Sequence, residues 1–540
     1  MRGSKLSGLI ALGAFAMVGG MVATDLAFAK IDVDKLTIGG EARIRYEYRV
    51  GTTFGTTATT VAAQNGCAVA AQCTGGQANE SAASSRVRVN VGYDLTPDVS
   101  FFAQIQDART WGTECIGGSP CSADNGIGTV SSANQNASGI DLHQGYILVK
   151  NILTPGLSAK LGRQEILFGD QRLIGNFNWS QIGIGFDAAR LTYSVPIVDI
   201  DLFWARIVDT QNGAGCGAAG NANCAGVIFP GAGQKGTSNQ DFYGAYLTFK
   251  PAPSWTIEPY YFLLKDSRPA VAGIFATVPQ EPDQARNVLG TRINGKAGGL
   301  DTTLEAVWQF GAETSGAANG AGVGGATGLH DLHINAHAEA FKIGYTFEPV
   351  PMKPRIGFEV DYASGDNCTN QAGAASCSSK GHFNTFDNLY PTNHFKFGAM
   401  DLMAWKNSVV YQFMFDVKPD TVSKVQVNFN LVRLARASDN WYRSGQVVYA
   451  TSCGNATGGL CQTGFSNTAQ SLGKELDIHY WRTFKEKFKF EIGYGHFFTG
   501  QYFDQIAKNN PNGAKGPISS ATFNNDSDQN WGYVMGSVLF

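Results

Sequence analysis

Between residues 41 and 49 every second position carries a charge: Glu41, Arg43, Arg45, Glu47 and Arg49, with Ala42, Ile44, Tyr46 and Tyr48 between them. Arg86 and Arg88 repeat the arrangement among Val87, Val89 and Val91. A guanidinium offers donors in a planar fork that matches a carboxylate, so arginines aligned on one face form a surface that can attract and hydrogen-bond acidic groups. A period of two is that of a β-strand with one ionic and one apolar face. In a soluble sandwich the ionic face meets water; in a transmembrane barrel it lines a watery lumen while the apolar face meets lipid. The pattern alone leaves both open.

Other residues invite different chemistry. Asp477 and His479 share a strand face at adjacent same-side positions. No nucleophile stands beside them in sequence and polar lumens commonly hold such pairs, so the chain is read as a non-enzyme. His330, His333 and His337 resemble metal-ligand spacing. On a strand the first two point to opposite faces and the last two lie about 13 Å apart, too far to share an ion. The run 524–528 (Asn-Asn-Asp-Ser-Asp) lacks the glycine and terminal Glu of an EF-hand loop, so solvated loop is favoured over calcium binding. No metal and no cofactor is expected. With 41 Lys and Arg against 44 Asp and Glu, the near-neutral chain is a poor match for a nucleic-acid partner.

The elements that must position these residues follow from the rest of the chain. Arg2 and Lys5 precede an apolar run over 6–23 and the small-x-small site Ala27-Phe28-Ala29. These are the marks of a signal peptide over 1–29; the competing reading, a membrane anchor, meets a short core broken by glycine. No other stretch approaches the continuous apolar length of a spanning helix, so a membrane-embedded chain would cross with strands. The 66 glycines, 34 phenylalanines and 19 tyrosines suit a large β protein. A β-helix or adhesin would show a short internal repeat, and none is visible.

Alternating or turn-bounded segments read as strands at 40–50, 85–95, 99–109, 141–150, 157–168, 187–193, 199–208, 241–250 and 255–264. They continue at 288–294, 300–310, 335–347, 355–362, 408–417, 424–434, 474–481, 488–497 and 530–540. That makes about eighteen, joined alternately by tight turns and long connections. The expected fold is all-β: a transmembrane antiparallel barrel over 30–540, with short periplasmic turns and long extracellular loops. The cysteines fall in five local pairs: Cys67 with Cys73, Cys115 with Cys121, Cys216 with Cys224, Cys368 with Cys377 and Cys453 with Cys461. Each pair sits in a connection read as long. Disulfides that pin outer loops are favoured over metal or haem ligation, since no CxxC occurs. The last strand, Trp531 to Phe540, alternates aromatic residues and ends on phenylalanine.

Several segments resemble the alginate export family of outer-membrane barrels. They are Gly162-Arg163-Gln164-Glu165, Gly169-Asp170-Gln171-Arg172-Leu173-Ile174-Gly175, Trp179 and Phe186-Asp187-Ala188-Ala189-Arg190. The likeness continues at Ser364-Gly365-Asp366, Leu389-Tyr390-Pro391-Thr392-Asn393-His394, Gly398, Asp401 and Gly473-Lys474-Glu475-Leu476-Asp477. The C-terminal strand resembles the signature by which the barrel assembly machinery recognises its clients. The resemblance implies an eighteen-stranded channel and export of a polyuronate through a basic constriction, with Arg163 and Arg190 as candidates. The strand pattern adds Arg43, Arg45, Arg86 and Arg88 to the expected path.

Glu165, Asp170, Glu359, Asp361, Glu475 and Asp477 complete the expected pore-lining set. Glu41, Glu47, Asp187, Glu305 and Glu491 share predicted inner faces or adjacent loops, so each arginine can instead pair with an acid and hold the wall together. Alternation breaks near Gly162, and Arg163 points inward only if a bulge or kink resets the register. Expected partners are outer-membrane lipid and lipopolysaccharide, the assembly machinery and periplasmic secretion proteins. The alternative reading is a structural or surface-display barrel with a plugged lumen.

Overall fold

The computed structural model describes residues 32–51, 80–111, 140–209, 239–266, 284–315, 330–366, 382–444, 448–450, 469–503 and 528–540. The chain divides between Leu36 and Thr37 into two units, and of the first only residues 32–36 are described. In the first, Asp32 caps a single 3-10 turn, Val33–Lys35, by accepting from the Asp34 amide. The expected signal peptide, residues 1–29, lies outside the described residues. So do all five expected disulfides: Cys67 and Cys73, Cys115 and Cys121, Cys216 and Cys224, Cys368 and Cys377, and Cys453 and Cys461 are each outside the described residues.

Eighteen strands build the barrel wall. They are β1 (Leu36–Val50), β2 (Glu80–Thr96), β3 (Val99–Thr110), β4 (Ile140–Val149), β5 (Leu157–Gln164) and β6 (Phe186–Val195). Next come β7 (Val198–Asp209), β8 (Asn239–Ala252), β9 (Trp255–Asp266), β10 (Gln284–Ala297), β11 (Leu300–Ser315) and β12 (His330–Thr346). The last six are β13 (Arg355–Ala363), β14 (Ser408–Val417), β15 (Ser423–Leu434), β16 (Ser471–Phe484), β17 (Phe488–Thr499) and β18 (Gln529–Leu539).

Consecutive strands pair, and β18 returns antiparallel to β1, from Glu41 opposite Leu539 to Val50 opposite Asn530. Closure leaves the wall without an unpaired edge, which lipid would not tolerate. Each long connection leaves from the same end of the wall, and the connections that contain the cysteine pairs are all long.

The barrel is apolar outside, while its inner face is polar on β1, β2 and β14 and aromatic on β7 to β9, where Phe203, Phe242 and Phe262 are buried. On β1 the even residues Ile44, Tyr46 and Tyr48 are exposed, while Arg43, Arg45 and Arg49 are buried. The same inversion recurs on β2, where Val87 is exposed between buried Arg86 and Arg88, and on β14, where Phe413 is exposed beside buried Gln412. An outward apolar band facing hydrocarbon and an inward polar face reproduce the alternation read from the sequence.

Most strands run past the ends read from sequence, as β10 does at Gln284–Ala297 against 288–294, and one stops well short. The fifth strand was expected to reach residue 168, but β5 stops at Gln164. Beyond it the chain leaves the wall: Ile166, Leu173 and Ile174 are buried in an apolar cluster with residues of the wall.

Candidate channel interior

Two connections fold into the lumen. The first, residues 165–185, links β5 to β6; the second includes residues 382–407, between β13 and β14. They meet in a short parallel bridge between Ile174 and Tyr390. Gly175 N donates to Tyr390 O at 2.8 Å, Tyr390 N to Leu173 O at 2.9 Å and Thr392 N to Gln171 O at 2.9 Å. Backbone groups that would be orphaned in a buried loop thereby satisfy one another. Reversals at Gln171, Phe177 and Leu389, with φ of 62°, 43° and 58°, let both segments turn within the confined interior.

The first segment lies against the arginines of β1 and β2. Arg43 Nη1 donates to Asn178 O at 2.8 Å, and Nη2 to Trp179 O at 3.3 Å, Ser180 O at 2.9 Å and Gln181 Oε1 at 2.6 Å. Its Nε reaches the same Oε1 at 3.0 Å. Arg45 donates to Trp179 O at 2.6 Å and stacks on the Trp179 ring, 4.0 Å from its centroid. Arg86 reaches Ser180 O at 3.1 Å and Glu41 at 2.5 Å. Arg88 bonds Gln106, His143 and Ile182 O. Glu165, at the root of the segment, receives Asn176 at 3.0 Å and contacts His143 at 2.8 Å.

Across the lumen the first segment is held by carboxylates. Arg172, fully buried, pairs with Glu359, with Asp361 at 3.2 Å, with Asp170 at 3.0 Å and with Glu305 at 3.5 Å. Arg292 bridges Asp170 at 2.6 Å and Glu258 at 2.7 Å. Burial pushes the Asp170 carboxyl up, but Lys396, Arg172 and Arg292 together hold it well below the usual carboxylate range. Between the two walls sits an aromatic stack: Phe168 lies 4.3 Å from Tyr246, and Tyr246 5.5 Å from Tyr260.

The second segment caps the acids of β16. Met400 N donates to Glu475 Oε1 at 2.9 Å, Ala399 N to Asp477 at 3.4 Å and Asn430 to Asp477 at 3.0 Å. Gly398 makes this approach possible: its φ is 109°, and a Cβ there would stand 2.6 Å from both Glu475 oxygens. The Trp179 ring also stacks on His394 of the second segment, 3.9 Å between centroids.

The sequence-selected residues therefore divide. Arg43, Arg45, Arg86, Arg88, Glu359, Asp361, Glu475 and Asp477 project from the wall toward these segments, and Glu165 and Asp170 belong to the first segment itself. Arg190 also projects inward, pairing with Asp201 at 2.8 Å and lying over Phe168. Arg163 does not. Gly162 adopts a φ of 123°, yet pairing runs through it without a register shift on both sides. Gln164 takes the inner face and Arg163 the outer, where it pairs with Asp187 at 3.5 Å. Asp187, also read as inward or near-lumenal, is likewise on the outer face.

Arg172 and Arg292, the cations that hold the acidic wall, were not selected from sequence. Arg292 sits at an inward position of a strand whose other inward residues are mostly uncharged, and Arg172 lies in a segment with no period of its own. His333 and His337 lie on the exposed outer face, His337 against Glu339 at 2.9 Å.

The sequence model of the alginate export family matches residues 34–513, most of this barrel. The chain belongs to the alginate export family. With an eighteen-stranded closed wall, it is an integral protein of the outer membrane and a barrel of the channel-forming kind. No curated protein sequence matches it. Among solved structures it is similar to Pseudomonas aeruginosa OccK8 (OprE), at 10% identity and a TM-score of 0.48 over 93% of this chain and 98% of that one. It is similar also to Pseudomonas aeruginosa OpdL, at 9% identity and 0.47 over 94% and 99%. Vibrio cholerae OmpT gives 9% identity and 0.36 over 95% and 100%. Likeness this distant says nothing about cargo.

Proposed function

We propose that this barrel passes anionic or polar solutes, an acidic exopolysaccharide such as alginate among them, along the arginine face of β1 and β2. The observation that carries the reading is the company Arg43 keeps. Its hydrogen-bond acceptors are uncharged: three backbone carbonyls and the amide oxygen of Gln181, which takes both Nε and Nη2 as a carboxylate would. A solute carboxylate that replaces Gln181 exchanges a neutral acceptor for a charged one, and so adds ion-pair attraction to hydrogen bonds that the guanidinium charge already strengthens. The 178–181 stretch then acts as a resident stand-in for cargo. Around it stand Arg43, Arg45, Arg49, Arg86 and Arg88 against Glu41, Glu47, Glu165 and Glu491, a local excess of one positive charge.

The experiment is single-channel recording of the purified barrel in planar bilayers, with and without added oligouronate. The reading expects an anion-preferring conductance that micromolar to millimolar oligouronate blocks and a neutral oligosaccharide of equal length does not. A large conductance indifferent to both makes the barrel a general porin. A second reading, a barrel that displays its loops and conducts nothing, draws support from the two inward segments bonded to each other and to opposite walls. Silence in the bilayer would favour it.

A further inference from the structure

Arg163 and Asp187, displaced from the lumen, belong to a row that the interior does not explain. Strand pairing sets Arg163 opposite Asp187, Asp187 opposite Arg206, Arg206 opposite Asp241 and Asp241 opposite Lys265. Directly opposed residues share a face, so five adjacent strands, β5 to β9, place alternating charges side by side on the outer surface. The row ends abruptly, since the next partners are Gly145 on β4 and Ala285 on β10. Arg163 and Asp187 are 36% and 62% exposed. Arg206 is steered by Asp241 at 2.8 Å, and the Trp204 indole donates to the same carboxylate at 2.9 Å.

Two residues nearer the short turns, the same five strands present Leu161, Ala189, Trp204, Tyr243 and Leu263. An apolar and aromatic row beneath a charged one places the charges at the loop-ward end of the outward apolar band. That side faces the outer leaflet. Four strand spacings make the charged row roughly 19 Å long. With strands tilted by about 40°, both rows climb together by roughly 12 Å, and each charged residue stands about 5 Å above its apolar neighbour on the same strand.

We propose that this row is a docking site for the phosphorylated glycolipid of the outer leaflet, with Arg163, Arg206 and Lys265 taking its phosphates. The row is longer than one phospholipid headgroup and rises with depth, which suits a ligand carrying several phosphates on a sugar frame. Asp187 pairs with Arg163 and Asp241 with Arg206, which orients the guanidinium groups and leaves the row a single net positive charge, so phosphates meet the cations from the lipid side.

The test titrates the wild-type barrel in detergent with lipid A, with its dephosphorylated form and with phosphatidylglycerol, counting adducts by native mass spectrometry. Lipid A should bind at least tenfold more tightly than either. Equal binding of the dephosphorylated form overturns the site, and equal binding of phosphatidylglycerol overturns the assignment to glycolipid. Combined Arg163→Gln, Arg206→Gln and Lys265→Gln should lower lipid A binding at least fivefold, whereas Arg433→Gln with Lys474→Gln, outward cations on β15 and β16, should leave it unchanged. Should the triple variant fail to assemble, Arg163→Gln alone must lower binding at least twofold. Unchanged binding in either variant contradicts the assignment.

Discussion

Arg43 and Arg172 are the same residue in the same lumen, both buried, and they are satisfied in opposite ways. Arg172 is surrounded by four carboxylates, Asp170, Glu305, Glu359 and Asp361. Arg43 is hydrogen-bonded to carbonyls and an amide. Burying a charge is tolerated only when partners replace its water, and breaking a buried ionic network leaves the remaining charges stranded. Arg172 is therefore a fixture that anchors the inward segment to β11 and β13. Arg43 has had its water replaced but its charge left for a mobile anion to claim.

The comparison can be broken most severely at Arg172. Arg172→Ala leaves Glu359 and Asp361 buried without their shared cation, and should destabilise the docked segment by about 3–5 kcal/mol. Hydrogen exchange over 165–185 should rise by orders of magnitude while the wall strands stay protected, and conductance should increase. Unchanged exchange would make the carboxylate network incidental.

A smaller effect is expected at Gly398. Gly398→Ala places a Cβ in a left-handed conformation 2.6 Å from the Glu475 carboxylate, so residues 398–400 must lift from β16. The cost expected is about 1–3 kcal/mol, read as faster exchange at the Met400 amide. Protection equal to wild type at that amide would contradict the cradle.

The smallest effect is one of pH. Asp439, in the connection after β15, accepts from the Asp366 amide at 2.8 Å and the Thr385 hydroxyl at 2.6 Å. Burial pushes its carboxyl up to about 6. Because the folded value lies above the usual 3.8, the docked state binds more protons than the undocked one between about pH 4 and 6. Docking of residues 382–385 on 436–444 should therefore weaken as pH rises through that window and stay level above it. Asp439→Asn should flatten the profile; a wild-type profile that is already flat would remove Asp439 from the account.

The wall was legible because its signal is local. A strict period of two in 41–50 and 85–95 locates both faces without knowledge of any neighbour, and tight turns such as Thr96-Pro97-Asp98 fix where strands reverse. The inward segments were not legible beyond the residues quoted for the family. Leu173, Ile174, Leu389 and Met400 follow no period, and they are buried only because two connections far apart in sequence meet inside a closed wall.

Arg163 shows the remaining weakness. Its neighbourhood resembled a family motif, and a glycine beside it offered a means to turn it inward. The pairing of β5 with β4 and β6 nevertheless keeps its register through Gly162. Alternation was the better guide, and it assigned Arg163 to the outer face.

The most direct test of the contrast between the two arginine environments is the reversal potential of the wild-type barrel and of Arg43→Gln with Arg86→Gln, measured across a tenfold salt gradient with Arg172 intact. The account predicts that wild type is anion-preferring, that the variant shifts by at least tens of millivolts toward cation preference, and that its folded, heat-modifiable mobility is unchanged. Identical reversal potentials in a folded variant would contradict it, because arginines that no permeating ion senses belong to the wall as fully as Arg172 does.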